Sequence, residues 1–171
     1  MNKDLLEKGF IPEEICTNLP NGFEDIEEIS SSLHKILANN QIGNVINEIN
    51  QEKDISSLST PELERAMLLY SYIGHAYMWG KTEVEDVIPK NISLTWYNIA
   101  EKLDRPPILS YASYALNNWS LLDNSKPLTL DNIRILQNFL AGVDEDWFIM
   151  IHVAIEYEAK NILGSLKKYY L

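Results

Sequence analysis

The stretch DEDWFIMIHVAIEYEAKNILGSLKKYYL, residues 144–171, is the longest uninterrupted helical pattern in the chain. It opens with three acidic residues, which the positive end of a helix dipole favours. Apolar side chains then recur every three or four residues, and this spacing predicts one buried stripe along the helix. The predicted stripe consists of Phe148, Ile151, His152, Ile155, Ala159, Ile162 and Leu166.

Within that helix, His152 follows Phe148 by four residues, so the two side chains share one face. An imidazole beside an aromatic ring on an apolar stripe either fills a core or lines a pocket, and the spacing leaves both readings open. On the outer side of the helix, Glu156 and Lys160 are predicted to form an i, i+4 ion pair.

The rest of the chain also carries helical periodicity. Thr60 is a candidate helix cap and Pro61 suits the first helical position, whereas Gly80 is a stop signal. No strand pattern stands out, so we predict an all-α fold. Six helices are predicted before the last one, over residues 26–38, 42–49, 60–79, 92–103, 108–119 and 129–140.

Bulk composition narrows the possible functions. A length of 171 residues fits one domain of ordinary size, and a net charge of −11 argues against binding to nucleic acid or to an anionic membrane surface. Cys16 is the only cysteine, which excludes an internal disulfide or a thiolate zinc site. The three histidines are well separated, so no metal site is predicted. The polar N-terminus and the lack of a membrane-length apolar run predict a cytoplasmic location.

Three segments together point to one family. They are SYIGHAYMW at 71–79, RPPILSYA at 105–112 continuing to NNW at 117–119, and DEDWF at 144–148 continuing to Glu156. In this order and at these spacings they resemble the indoleamine 2,3-dioxygenase family of haem proteins. The resemblance covers nearly the whole chain, and the Pro-Pro-Ile-Leu-x-Tyr-Ala block is its most specific part.

The resemblance implies a particular fold and reaction. Residues 1–142 would form a small helical domain, and residues 143–171 would form the first helix of a C-terminal haem domain. Ferrous haem b would bind dioxygen, which is inserted across the indole C2–C3 bond of tryptophan or a related indole. The product would be N-formylkynurenine, the entry to the kynurenine pathway. In such oxygen-handling haem proteins a proximal histidine holds the iron.

The resemblance also assigns roles to individual residues. Phe148 matches the aromatic residue that stacks near the substrate indole on the distal side of the haem. His152 stands where many members have serine, and as the catalytic residue it would accept a hydrogen bond from the indole N–H. Tyr111 and Tyr114 would line the inner end of the substrate pocket, where the Tyr114 position usually holds a smaller residue.

Length is the main departure from the family, whose members are about twice as long. Their proximal histidine lies downstream of the matched segments, and His34, His75 and His152 do not match it. We therefore expect the chain to need a missing C-terminal half that holds the iron. The alternative is a haem-free helical binding or scaffold module that associates with itself or a partner through the helix of residues 144–171.

Overall fold

The computed structural model describes residues 9–49, 52–81 and 83–170. Its α-helices are α1 (Glu24–Ser31), α2 (Leu33–Ala38), α3 (Ile42–Asn47), α4 (Thr60–Trp79), α5 (Lys90–Lys102) and α6 (Val143–Tyr170). A π-helix (Ala112–Leu116), strands β1 (Trp119–Leu121) and β2 (Ile133–Ile135), and a 3-10 turn (Leu130–Asn132) lie between α5 and α6. The mostly helical class is confirmed.

Helix α4 is the centre of the larger core. The Glu62 carboxylate accepts hydrogen bonds from the Ser59 backbone N–H (2.8 Å) and hydroxyl (2.7 Å), which anchors the first turn. Ser59, and not Thr60, is therefore the N-cap. The helix ends before Gly80 as predicted. Its side chains are fully buried on several sides, among them Met67, Leu68, Leu69, Tyr70, Tyr72 and Ile73.

The contact between α4 and α5 depends on one glycine. A Cβ atom built on Gly74 would lie 2.5 Å from Cζ3 of the buried Trp96 indole, so the absence of a side chain lets the indole lie against the α4 backbone. This close approach places α5 against α4, and Ile92 and Ile99 of α5 are fully buried in the same core.

The first predicted helix is two helices in the structure. The backbone breaks at Ser32, which has φ −102° and ψ 5° and separates α1 from α2. The break allows apolar residues of both short helices, including Ile26 and Leu33, to enter the core built around α4. Helix α3 adds Ile42 and Ile46 to the same core.

The predicted helices over 108–119 and 129–140 are wrong. Only Ala112–Leu116 forms a turn of π-helix, and the chain then enters an antiparallel pair of strands in which Trp119 opposes Ile135. The absence of strands was thus also a wrong expectation. The pairing is closed by Asn132, whose side-chain amide donates to the carbonyl of Pro127 at 2.9 Å while its oxygen accepts from Asp123 N–H at 3.0 Å. These side-chain bonds favour a turn over a helix.

A buried amide holds this region to the core. The Asn118 side chain is fully buried, and it donates to the Gln137 carbonyl at 2.8 Å and accepts from the Gln137 N–H at 2.8 Å. The same amide group donates to the Tyr114 carbonyl at 3.1 Å. Gln137 in turn donates to the Ser30 carbonyl at the end of α1, at 3.0 Å. Asn118 therefore replaces the ladder bonds that a longer sheet would supply.

Helix α6 buries a different face from the one predicted. Ile149 and Val153 are fully buried in a second core with Ile11, Trp119 and Ile133. The predicted stripe instead lies largely in solvent: Phe148 is 51% exposed, Ile155 58% and Ile162 66%. Ile151, His152 and Ala159 are partly exposed, and the Leu166 side chain lies outside the described residues.

The start of α6 is fixed by hydrogen bonds to the preceding loop. The Glu145 carboxylate accepts from the backbone N–H groups of Phe139 (3.0 Å) and Leu140 (3.2 Å). Asp146 accepts from the Asn138 side chain at 2.8 Å. The acidic first turn thus fixes the loop of residues 138–140 that precedes α6, and it also interacts favourably with the helix dipole. Among the residues that the structure describes, no helix is long and apolar enough to cross a membrane.

Candidate functional site

The exposed face of α6 brings His152 and Phe148 together as expected. Their ring centroids are 4.1 Å apart, with an angle of 38° between the ring planes. His152 Nδ1 lies 2.7 Å from the Phe148 carbonyl oxygen. A carbonyl can only accept, so this contact requires the proton on Nδ1. In the neutral ring Nε2 then carries the lone pair, and within the described chain it has no hydrogen-bond partner. His152 is therefore prepared to accept a hydrogen bond from a ligand N–H.

Tyr111 lies beside this pair from the residue that precedes the π-helix. Its ring meets the His152 ring edge-on, with centroids 5.9 Å apart and an angle of 76°. The Tyr111 hydroxyl donates to Glu156 Oε1 at 2.9 Å. Two effects raise the pKa of Tyr111 to about 12: partial burial of the phenol, which is the larger, and the Glu156 carboxylate that accepts its hydrogen bond. The hydroxyl is protonated at neutral pH and donates to Glu156, while the ring contacts His152, so Tyr111 touches two residues that lie one turn apart on α6.

Tyr114 continues the aromatic contacts inward. Its ring lies edge-on to Phe148, at 6.1 Å and 60°, and stacks on the buried Tyr72 at 6.0 Å and 9°. Tyr72 also contacts Phe139, at 4.3 Å between centroids. Partial burial, and then the charges of Glu145 and Asp146, raise the pKa of Tyr114. The exposed rings on α6 are therefore supported by aromatic residues that reach the core around α4.

The π-helix sets the positions of both tyrosines. Residues 112–116 adopt this wider turn, closed by the bond from Asn117 N–H to the Ala112 carbonyl at 2.9 Å. π-Helical turns are rare and occur often at functional sites, since they redirect side chains. Here Tyr111 turns towards His152 and Tyr114 towards Phe148. The helix predicted over 108–119 did not anticipate this turn.

Glu156 is the site residue that the sequence did not reveal. It was predicted to pair with Lys160, whereas it bonds to Tyr111, 45 residues away in the chain. Lys160 Nζ lies instead 3.3 Å from the centroid of the Tyr157 ring. The i, i+4 prediction is therefore wrong, because an aromatic face competes for the lysine and a phenol for the carboxylate. No local pattern could have indicated a contact over that separation.

The remaining histidine described on a long helix lies elsewhere. His75 Nδ1 is 2.8 Å from the Ser71 carbonyl, and its ring meets Trp96 edge-on at 5.8 Å. Like His152, His75 bonds through Nδ1 to the carbonyl of the residue four positions earlier. It lies against Trp96 in the α4–α5 core, however, and not beside Phe148. Across the described part of the chain, no group of three or more His, Cys, Asp or Glu side chains could hold a metal ion.

Comparisons with known proteins add a family to this geometry. A family model described as "Indoleamine 2,3-dioxygenase" matches residues 5–170. The chain is 29% identical to indoleamine 2,3-dioxygenase 1 of Rattus norvegicus over 96% of this chain and 43% of that protein. It is 32% identical to indoleamine 2,3-dioxygenase of Saccharomyces cerevisiae over 76% of this chain and 30% of that protein. It is 24% identical to a myoglobin of Haliotis madaka over 91% of this chain and 39% of that protein. The chain thus spans less than half the length of these relatives.

Proposed function

This chain belongs to the indoleamine 2,3-dioxygenase family, and we propose that it supplies the substrate side of a haem pocket in an enzyme that inserts dioxygen into the indole ring of tryptophan or a related indole. One observation carries the proposal. Phe148 and His152, the two residues expected on the distal side, lie together on the exposed face of α6, with Tyr111 and Tyr114 beside them. If Phe148 and His152 were instead buried in a hydrophobic core, they could not contact a haem or a substrate.

The described residues fit one face of a haem. Phe148, Ile155 and Ile162 are each more than half exposed although apolar, and together they offer a surface along α6 for a flat apolar ring system. Haem, when bound, supplies the iron that binds dioxygen, and the protein supplies orientation and a dry pocket. The fit extends to the distal face only, because none of these residues is assigned as the iron ligand. The proximal ligand would come from the part of the family fold that residues 5–170 do not match.

On this proposal each side chain has a physical task. Phe148 offers a ring for an indole to stack against, a contact worth roughly 0.5–1.5 kcal/mol beyond burial. His152 Nε2 accepts the indole N–H, since its Nδ1 is committed to the Phe148 carbonyl. Tyr114, where the family usually has a smaller residue, narrows the inner end and stacks on Tyr72. The Tyr111 ring packs edge-on against the His152 imidazole and restrains its orientation. The division into domains at residue 142 and a cytoplasmic location remain predictions.

The test compares the 171-residue chain with the longest reading frame that contains it. Both would be supplied with haemin, and the Soret band and N-formylkynurenine formation would be recorded. We expect haem binding with turnover only when the iron-holding half is present. Replacing His152 with alanine should leave the Soret band intact and lower kcat/KM about tenfold, since a lost hydrogen bond costs about 1.4 kcal/mol.

His75→Ala is the matched control, because His75 makes the same bond to a helix carbonyl but lies outside the site. It should bind haem and turn over substrate like the unaltered enzyme. Loss of the Soret band in His152→Ala would mean that His152 is an iron ligand and that the distal assignment is wrong.

Two other outcomes would change the function. One relative carries the name myoglobin and not dioxygenase, so reversible dioxygen binding without product would favour an oxygen-binding protein. A longest chain that binds no haem and associates with itself or with a partner would favour the helical binding module, whereas a haem-free monomer without a partner would count against it.

A further inference from the structure

Glu156 lies in the candidate site and has no task in the proposal above. It follows His152 by one helical turn on α6, and Tyr111 contacts both of them. We infer that Glu156 is a positioning residue, which holds the Tyr111 ring against His152 and so sets the direction in which the imidazole acceptor meets an indole N–H. This inference rests on the proposed function, because it concerns the same site and the same hydrogen bond.

Helix α6 itself holds the His152 imidazole mainly at one edge. Nδ1 lies 2.7 Å from the Phe148 carbonyl oxygen, and the Phe148 ring lies 4.1 Å away between centroids. Nδ1 is next to the ring carbon that carries the side chain, whereas the acceptor Nε2 lies at the far edge. Small rotations about the held edge therefore move Nε2 the most. A hydrogen bond weakens steeply when its angle falls below about 120°, so such movement would weaken the bond to a ligand.

Tyr111 supplies a contact to the imidazole from outside the helix. Its ring meets the His152 ring edge-on, with centroids 5.9 Å apart and an angle of 76° between the planes. The Tyr111 side chain is 45% exposed, so packing alone leaves its ring room to turn into solvent. The bond from its hydroxyl to Glu156 Oε1 at 2.9 Å fixes the far end of the phenol. The ring therefore cannot turn away from His152 without breaking that bond.

Glu156 is a suitable anchor for this bond. Glu156 and His152 stand on one helix face, so the α6 backbone sets the spacing between the anchor and the imidazole. Lys160, one turn farther on, could draw the carboxylate away, but its Nζ lies 3.3 Å from the centroid of the Tyr157 ring. The N-terminal arm also lies against the backbone here, since a Cβ atom on Gly9 would collide with the Glu156 carbonyl oxygen. The anchor thus belongs to a braced part of the helix.

The first test follows the imidazole in the 171-residue chain without haem. Histidine ring protons are observed by NMR in a ring-labelled sample, and the signals of His152 are those that vanish in His152→Ala. The unaltered chain should show nuclear Overhauser contacts between the ring protons of His152 and Tyr111. Glu156→Ala should weaken these contacts and shift the His152 signals. Glu156→Gln should retain them, because the amide oxygen still accepts from the phenol.

The second test measures ligand binding to the haem-loaded longest chain through the shift of the Soret band. Tryptophan can donate its ring N–H, whereas tryptophan methylated at the ring nitrogen cannot. Glu156→Ala should weaken tryptophan binding about threefold to tenfold, because a misdirected acceptor loses at most the whole hydrogen bond. It should change binding of the methylated compound less than about twofold. The loss for tryptophan should not exceed that in His152→Ala, which lacks the acceptor altogether.

A double-mutant cycle shows whether Glu156 acts through Tyr111. Tyr111→Phe keeps the ring and removes the hydroxyl, so it should weaken tryptophan binding about as much as Glu156→Ala does. The double variant should bind no more weakly than either single variant, since each breaks the same bond. Glu158→Ala is the matched control. Glu158 is exposed on the same helix and accepts from the Asn161 side chain at 2.6 Å, so its loss should leave tryptophan binding and the His152 signals unchanged.

Four results would overturn the inference: unchanged His152 contacts in Glu156→Ala, an equal loss of binding for tryptophan and its methylated form, additive effects in the double variant, or an equal effect of Glu158→Ala. Glu156-dependent His152 contacts and N–H-dependent binding without product formation would leave the inference standing and refute the oxygenase proposal. Product formation by a Glu156→Ala enzyme with unchanged tryptophan binding would do the reverse. A haem-loaded chain that binds no tryptophan would refute both.

Discussion

Replacing Gly9 with alanine tests whether the N-terminal arm braces the helix that carries the site. Gly9 has a φ of +68°, in the left-handed region, where an L-residue costs roughly 1–2 kcal/mol. A Cβ atom there would also collide with the Glu156 carbonyl oxygen and lie 3.2 Å from the Lys160 backbone nitrogen. Both are backbone atoms of α6, which cannot rotate away as a side chain can. Overpacking of this kind adds roughly 1–3 kcal/mol.

The expected total for Gly9→Ala is therefore about 2–5 kcal/mol. Gly22→Ala is the matched control, because Gly22 also has a positive φ, +103°, but a Cβ atom there would meet nothing within 4 Å. It should cost only the backbone strain, about 1–2 kcal/mol. The difference between the two variants isolates the collision with α6.

Urea unfolding followed by far-ultraviolet circular dichroism measures both variants. With a slope of about 2 kcal/mol/M, the Gly9→Ala midpoint should fall by about 1–2.5 M and the Gly22→Ala midpoint by about half as much or less. Because Ile11 buries with Ile149 and Val153, loosening of the arm should also speed amide hydrogen exchange in the middle of α6. Equal midpoints and unchanged exchange in that helix would refute the bracing role of the arm.

Two further predictions concern the buried amide of Asn118 and the hydroxyl of Tyr111. Asn118→Ala should destabilise the fold by about 3 kcal/mol in urea unfolding, since it leaves the buried N–H and carbonyl of Gln137 without partners. The control is Asn124→Ala at an exposed position, which should cost under about 0.5 kcal/mol. Similar losses of stability in the two variants would contradict the structure. The pKa of Tyr111 is raised from 10.0 to about 12, so its contribution to stability is complete below pH 10 and is lost as the pH rises through 12. In a spectrophotometric titration, Glu156→Gln should lower that pKa part of the way towards 10.0, because burial, the larger cause, remains; an unchanged titration would show that the Tyr111–Glu156 bond is absent.

Local signals predicted the long helices well. The acidic first turn of α6, the Thr60–Pro61 start of α4 and the Gly80 stop each act within one turn of the chain, although the N-cap of α4 is Ser59 and not Thr60. The bounds of α4 and α6 therefore follow from the sequence to within a residue. Tyr111, Tyr114, Phe148 and His152 do lie together in the structure, but it was the family resemblance, and not the helical periodicity, that selected them.

The region between Pro106 and Leu140 could not be predicted in the same way. Apolar residues from Ile108 to Trp119 recur at a helical spacing, yet Trp119 lies in a strand because Asn118 bonds to Gln137, 19 residues later. Interactions over that separation have no signature in a short sequence window, and a three-residue strand is too short to show alternation. The same reason hides the Tyr111–Glu156 contact.

The face of α6 that is buried was predicted wrongly for a different physical reason. The helix is apolar around much of its circumference, so the spacing of Ile149 and Val153 is as regular as that of Phe148, His152 and Ile155. Periodicity identifies a helix but cannot choose between two apolar faces, since the choice depends on what packs against each. The arm with Ile11 and the strand residues Trp119 and Ile133 take the first face.

The second face of α6 therefore remains available, and the proposed site residues Phe148 and His152 lie on it. An apolar helix face next to solvent costs free energy unless something covers it. On α6 that face also carries an imidazole with a free acceptor, a restrained carboxylate and a supported aromatic ring. Both acceptors lie on the exposed side of α6, so water can satisfy them there, and a ligand that covers the face must supply hydrogen-bond donors in place of that water. A ligand with an apolar ring and an N–H donor would cover the apolar surface and pair with His152 at once. This coincidence of apolar surface and free acceptors on one face is the physical reason to treat α6 as the wall of a binding pocket.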